Sequence, residues 1–423
     1  MCRSRDTEHG IGSAPYSLMS RCGKGNRGNE FMSTMGQVDQ TQAGAHSITK
    51  LKVLVIAGAR PNFMKVAPFL QAAKAHNQRL QGSGTEVECR LVHTGQHYDE
   101  KMSDVFFREL GIGKPDVNLE VGSGSHAVQT ATIMIKFEPV CLEYKPDWLV
   151  VVGDVNSTLA CTLVAKKLGI NVAHIEAGLR SYDRAMPEEI NRLVTDSISD
   201  LFLTPSPDAD ENLLKEGIPR EKIVLVGNIM IDSLVTNLKQ ASASQILEKV
   251  GAKAKEFVFV TLHRPSNVDD KASLSRIMEE LRRLSERLPI VFSMHPRTCK
   301  MLETFGIDGS SNPRFQIIEP VGYHDSLCLA RNARLVLTDS GGLQEETTYF
   351  QTPCLTLRQN TERPITVTLG SNKLTNVSQL RADLNTVFEG VPLKCQIPPL
   401  WDGNTGVRCI EAILQHPARV AKA

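Results

Sequence analysis

The chain reads as an α/β protein made of two doubly wound, Rossmann-like domains, each a parallel sheet flanked by helices. Three observations predict this. Short runs rich in Val, Ile and Leu alternate with helical patterns along most of the chain, as expected for strands of parallel sheets covered on both faces. The runs fall in two series, near 51–57, 86–93, 148–153, 171–175, 200–204 and 223–226, then near 257–262, 290–294, 315–318, 334–338 and 353–357. The length of 423 residues suits two to three domains of ordinary size.

Taken in order, residues 1–49 hold seven Gly and six Ser without apolar periodicity, and are predicted to be a disordered extension. Leu51–Ala57 is a buried strand, followed by the turn Gly58-Ala-Arg-Pro61 and a helix with apolar positions at Phe63, Val66, Ala67, Leu70 and Ala73. Residues 50–226 form the first domain. The break is expected near Gly227-Asn228, so that 227–403 form the second domain, opening with a helix near 229–240. A final helix begins near Val407, after the turn Trp401–Gly406; the segment 404–423 is expected to complete the first domain.

Composition excludes several classes. Lys plus Arg is 48 against 47 Asp plus Glu, a net charge of +1, which speaks against a general binder of nucleic acid or of a membrane surface. No apolar run approaches the roughly 20 residues of a bilayer-spanning helix, and no secretory signal is visible at the N-terminus. Ten cysteines without a C-x-x-C spacing give neither a zinc knuckle nor a dithiol motif and suit a reducing, cytoplasmic setting. His93 and His97 are interrupted by Thr-Gly, so no metal site is expected. The chain lacks G-x-G-x-x-G after its first strand and lacks a P-loop, which disfavours bound NAD and phosphoryl transfer. No cofactor is expected.

In open α/β sheets, ligands bind beyond the carboxyl ends of the strands. Those positions are rich here in polar and ionisable residues from both halves of the chain, which points to one site in the cleft between domains. At one end, Ser340, Gly341 and Gly342 follow a strand and should open a helix, where unpaired N–H groups and the helix dipole favour an anion. Glu346, one turn on, could accept hydrogen bonds from ribose hydroxyls. Arg60, Lys65, Arg297 and Arg363 could neutralise a diphosphate. At the other end, Asp154 and Glu176 follow strands, and Glu188 and Glu189 open the segment Pro187–Arg192, where one of the two is expected to be ordinary helix N-terminal charge. Asp154 is also a candidate N-cap. His263 would face these carboxylates from the second domain. Carboxylates with a histidine are the usual equipment for proton transfer.

Together these segments resemble the non-hydrolysing UDP-N-acetylglucosamine 2-epimerase family. The resemblance runs from about Lys52 to Leu414. It is carried by Gly58-Ala-Arg-Pro-Asn-Phe-Met-Lys65, Gly95-Gln-His-Tyr-Asp99, Gly153-Asp154, His174-Ile-Glu-Ala-Gly-Leu-Arg180, Met186-Pro-Glu-Glu-Ile-Asn-Arg192, Thr261-Leu-His-Arg264, His295-Pro-Arg297, Thr338-Asp-Ser-Gly-Gly-Leu-Gln-Glu-Glu346 and Thr361-Glu-Arg-Pro364. It implies the GT-B architecture, a homodimer and a UDP-sugar in the cleft. It implies that Asp154, Glu176, Glu188 and His263 are catalytic, that Arg60 and Lys65 meet the diphosphate and sugar, and that His295, Ser340, Gly341, Gly342, Glu346 and Arg363 hold UDP. Gln96 matches a residue of the family's effector pocket. The segment Ser181–Met186 is shorter than in members that UDP-N-acetylglucosamine activates, and closer to relatives acting on archaeal-type or uronic acid substrates. The implied reaction is inversion at C2 of UDP-N-acetylglucosamine through elimination of UDP and its re-addition. A 2-epimerase for a UDP-2,3-diacetamido uronic acid and a GT-B glycosyltransferase are the alternatives.

Overall fold

The computed structural model describes residues 48–80, 83–95, 113–309, 312–389 and 395–416. Two separate parallel sheets carry the fold. The first contains β1 (Ile48–Ala57), β2 (Gly84–His93), β3 (Val117–Asn118), β4 (Trp148–Val152), β5 (Asn171–Ile175), β6 (Leu201–Thr204) and β7 (Ile223–Leu225), in the order β3-β2-β1-β4-β5-β6-β7. The second contains β8 (Val258–Thr261), β9 (Ile290–Ser293), β10 (Phe315–Ile318), β11 (Leu335–Thr338), β12 (Cys354–Leu357) and β13 (Asn372–Thr375), in the order β10-β9-β8-β11-β12-β13. This two-sheet arrangement is the GT-B architecture.

Alternation along β1 explains why both faces are covered. Val53, Val55 and Ala57 pack with Phe63, Phe69 and the C-terminal residues Cys409, Ile410 and Ile413. Leu54 and Ile56 point the other way, into a core with Ile133, Phe137 and Cys161. Burying each such large side chain contributes roughly 1.5–3 kcal/mol. The helix Thr405–Gln415 therefore completes the first sheet's core although it follows the second sheet in sequence. Its entry is fixed by Asp232, whose carboxylate accepts from the backbone N–H of Thr405 (3.1 Å) and Gly406 (2.7 Å).

The helix Ile229–Ser242 spans the two halves. Ile229 and Met230 belong to the core of the first sheet, while Ile231, Leu234 and Ala241 pack with Leu327, Ile365 and Trp401. Asn228 caps this helix, its side chain accepting from Met230 N–H at 2.9 Å. In each sheet the winding direction reverses once, between β1 and β4 and between β8 and β11. Those two crevices are where an open α/β sheet binds its ligands. They are lined by Gly58-Ala59 and Gly153-Asp154 in the first half, and by Leu262–Arg264 and Asp339–Gly342 in the second.

Candidate active site

In the first half, Lys65 and Glu176 form a buried ion pair, with side chains 9% and 4% exposed. Lys65 lies on the helix Arg60–Arg79 and Glu176 just past β5. Glu176 holds a left-handed backbone, φ 69°, which for a non-glycine residue costs on the order of 1–3 kcal/mol and marks positions fixed by their surroundings. Its Oε1 is buried without a hydrogen-bond partner. Gly153, φ 68°, leaves room for this pair, because a Cβ there would sit 3.2 Å from Lys65 Nζ and 3.3 Å from Glu176 Oε2. The Asp154 carboxylate follows directly and pairs with Arg192 at 2.7 Å.

A buried network lies behind these groups. His174 Nδ1 is 2.6 Å from Asp196 Oδ1, and His174 Nε2 is 2.8 Å from the Gly153 carbonyl. Asp196 also accepts from Gly178 N–H at 3.1 Å and pairs with Arg180 at 2.7 Å. Burial raises the Asp196 carboxyl, but His174 and Arg180 outweigh it and hold it below the usual range.

Glu188 and Glu189 separate cleanly. Glu189 is buried and accepts from the backbone N–H of Ser181 (2.9 Å) and Tyr182 (3.0 Å) as well as from Arg192. It folds the loop 181–186 back onto the helix Pro187–Ile198. Glu188 is exposed, and its charge acts on Arg264 of the second half. Asp154 is not an N-cap: the helix starts at Asn156 with Val155 in the cap position, and the Asp154 carboxylate is drawn to Arg192 instead.

In the second half, a pocket of about 290 Å³ is lined by His263, His295, Ser340, Gly342, Leu343 and Glu346, among others. The helix Gly341–Phe350 starts there, with Ser340 as N-cap residue whose side chain makes no capping bond. Its first N–H groups thus remain for an anion. Glu346 is buried on the same helix, and burial with the charge of Glu345 pushes its carboxyl up to about 8. The His263 ring donates from Nδ1 to Asp339 at 2.9 Å. Asp339 further accepts from the N–H of His263 and Arg264 and from Asn267. Burial alone would raise the Asp339 carboxyl; His263, the Arg264 amide and Asn267 reverse that and lower it. His295 caps the helix Pro296–Phe305 through Nδ1, and burial together with His263 lowers its pKa below the ordinary value. With Nδ1 accepting from the Arg297 N–H, the ring's proton lies on Nε2.

Arg363 lies against the same helix start, since a Cβ on Gly341 would sit 3.0 Å from its Nη1. Its guanidinium is buried between Glu345 (2.7 Å) and Glu362. Asn228 donates to Glu345 at 2.9 Å, so this helix start is tied to the helix that spans the halves. The charges of Glu176 and Lys65 act on Glu345, and that of Glu176 on Arg363, which brings the two half-sites into one electrostatic neighbourhood.

The Arg297 side chain is about half exposed and pairs with Asp269 (Nε to Oδ1, 2.9 Å) at the start of the helix Pro296–Phe305. The Arg60 side chain and Gln96 lie outside the described residues, as does His97. Among the described residues, no three of His, Cys, Asp and Glu gather as a metal would need. Asp339, Glu345, His174 and Asp196 were not expected as site residues; the polar strand ends His174–Glu176 and Thr338–Asp339 carried the only signal.

The comparisons with known proteins agree with this geometry. Residues 79–414 match the family model described as UDP-N-acetylglucosamine 2-epimerase. The chain is 45% identical over 331 residues to a UDP-N-acetylglucosamine 2-epimerase of Methanocaldococcus jannaschii, covering 77% of this chain and 88% of the relative. It is 41% identical over 333 residues to a UDP-2,3-diacetamido-2,3-dideoxy-D-glucuronate 2-epimerase of Pseudomonas aeruginosa, covering 78% and 89%. A crystal structure of the M. jannaschii enzyme in complex with UDP-GlcNAc and UDP superposes with a TM-score of 0.76 at 42% identity, over 86% of this chain and all of that one. By sequence and by fold, the chain belongs to the UDP-N-acetylglucosamine 2-epimerase family.

Proposed function

We propose that this chain interconverts UDP-N-acetylglucosamine and UDP-N-acetylmannosamine without net hydrolysis. The observation that carries the reading is the facing of two half-sites. One is an anion-ready helix start with Glu346 and Arg363. The other is a set of carboxylates, Asp154, Glu176 and Glu188, with Lys65.

The chemistry explains the pairing. C2 of the substrate bears an acetamido group and no adjacent carbonyl, so direct deprotonation gives an unstabilised carbanion. If the C1–O bond to the diphosphate breaks as the C2 proton leaves, the C–H electrons form the C1=C2 bond and UDP departs with the C1–O pair. UDP then re-adds at C1 while C2 takes a proton on the opposite face. The helix N-terminus, Arg363 and His263 stabilise the leaving diphosphate. Carboxylates beside C1 and C2 stabilise positive charge and move the proton. Closure of the two halves keeps water from the intermediate.

A second reading has a specific observation behind it. A neighbouring pocket of about 530 Å³ is lined by Arg264, Arg276 and Arg358 with Asp183 and Met186. That positive lining suits a sugar bearing a 6-carboxylate, as in the P. aeruginosa relative's substrate. Proton NMR with each UDP-sugar tests both. The proposal expects the anomeric signal of UDP-N-acetylmannosamine from the unmodified substrate; turnover of the uronate alone would replace it with the second reading.

We further propose a homodimer in a cytoplasmic setting. The helix His126–Tyr144 supports the dimer by presenting Val128, Ile135 and Leu142, seven residues apart, at 62%, 72% and 56% exposure. A patterned apolar stripe of this kind suits a second copy better than water.

A further inference from the structure

We infer that His174 and Asp196 form a buried positioning pair that sets the two turns carrying Asp154 and Glu176, an inference that rests on the epimerase reading above. Neither residue reaches the cleft, with relative exposures of 0% and 1%. Each ends on one of the two turns. His174 Nε2 meets the carbonyl of Gly153, the residue before Asp154, at 2.8 Å. Asp196 Oδ2 meets the N–H of Gly178, two residues after Glu176, at 3.1 Å. The two are joined through His174 Nδ1 and Asp196 Oδ1 at 2.6 Å.

The His174 ring lies between two acceptors, the Gly153 carbonyl and the Asp196 carboxylate. Asp196 takes further bonds from Gly178 and Arg180. Both turns adopt left-handed backbone, at Gly153 (φ 68°), Glu176 (φ 69°) and Gly178 (φ 79°). Gly178 also admits no side chain, since a Cβ there would lie 2.4 Å from the Ala209 carbonyl. Strain such as that at Glu176 persists only where the surroundings hold it, and this pair bonds to both turns. The pair thereby fixes the spacing of the carboxylates that flank C2.

The test uses full-length His174→Gln and Asp196→Asn proteins. Four quantities are read for each: melting temperature, UDP affinity by calorimetry, kcat and KM. Because UDP is held by the second half, positioning predicts a split. Displacement of a reacting group by about 1 Å costs on the order of 100-fold in rate, so kcat should fall about 100-fold while KM and UDP affinity stay within about threefold. A folded variant with kcat within about threefold of wild type overturns the inference. So does loss of folding or of UDP binding in both variants, which would mark the pair as support for the fold alone. Wild-type turnover separates the two claims: an inactive wild type overturns the epimerase reading and this inference with it.

Discussion

At the scale of single residues, the site depends on burial. Glu176 sits behind Lys65 with one oxygen unpartnered, and Asp154 leans on Arg192. Glu176→Gln and Asp154→Asn should each lower kcat by about 100- to 10,000-fold, the usual worth of a positioned acid or base, while UDP binding by calorimetry stays near wild type. Glu346 supplies a pH prediction. The folded protein keeps this proton up to about pH 8, whereas the unfolded chain releases it near 4.5. The native state thus binds more protons across that window, and this group's contribution makes stability fall as pH rises from 4.5 through 8, with no such loss below 4.5. Glu346→Gln should flatten the decline in melting temperature between those limits. An unchanged slope would show that Glu346 does not titrate there. The candidate site was only partly legible in the sequence. Asp154, Glu176, His263 and Glu346 stand at strand ends or helix starts, where the chain itself announces them. Asp339 and His174 gave only the weak signal of a polar strand end, and Glu345 and Asp196 act through contacts between residues distant in sequence, which no local pattern encodes.

At the scale of elements, the main strands were readable because they are buried on both faces. Trp148–Val152 is five apolar residues in a row, all buried. The edge strands β3 and β13 went unread: Val117–Asn118 is two residues long, and Asn372–Thr375 mixes Asn, Lys and Thr. Edge strands have one neighbour and need little apolar surface. The helix Thr405–Gln415 illustrates packing that sequence does suggest, since its apolar face needs a core. It packs tightly at Gly406, where a Cβ would lie 2.7 Å from the Pro68 carbonyl. Gly406→Val should therefore destabilise by about 1–3 kcal/mol through overpacking, measured by urea unfolding, and move this helix off the first sheet. The stripe on His126–Tyr144 carries another expectation. Ile135→Glu should convert a dimer to a monomer by light scattering; a wild-type monomer would contradict the proposed assembly.

At the scale of the whole molecule, function depends on two sheets whose switch points face each other. The chain crosses between them at Asn228 and again near Trp401, whose Nε1 donates to the Pro205 carbonyl at 3.3 Å. Asn228 is bonded to Glu345, and Glu345 to Arg363. The crossing is thereby linked to the group that would grip a diphosphate. Closure around a bound nucleotide is the general device by which such enzymes retain a reactive intermediate. The central claim is that C2 loses its proton and regains one while UDP is held. The measurement that tests it most directly is proton NMR of the wild-type protein with UDP-N-acetylglucosamine in D2O. The account predicts UDP-N-acetylmannosamine carrying deuterium at C2, with no accumulation of free sugar. Conversion with the C2 proton retained, or release of free N-acetylmannosamine, would contradict it.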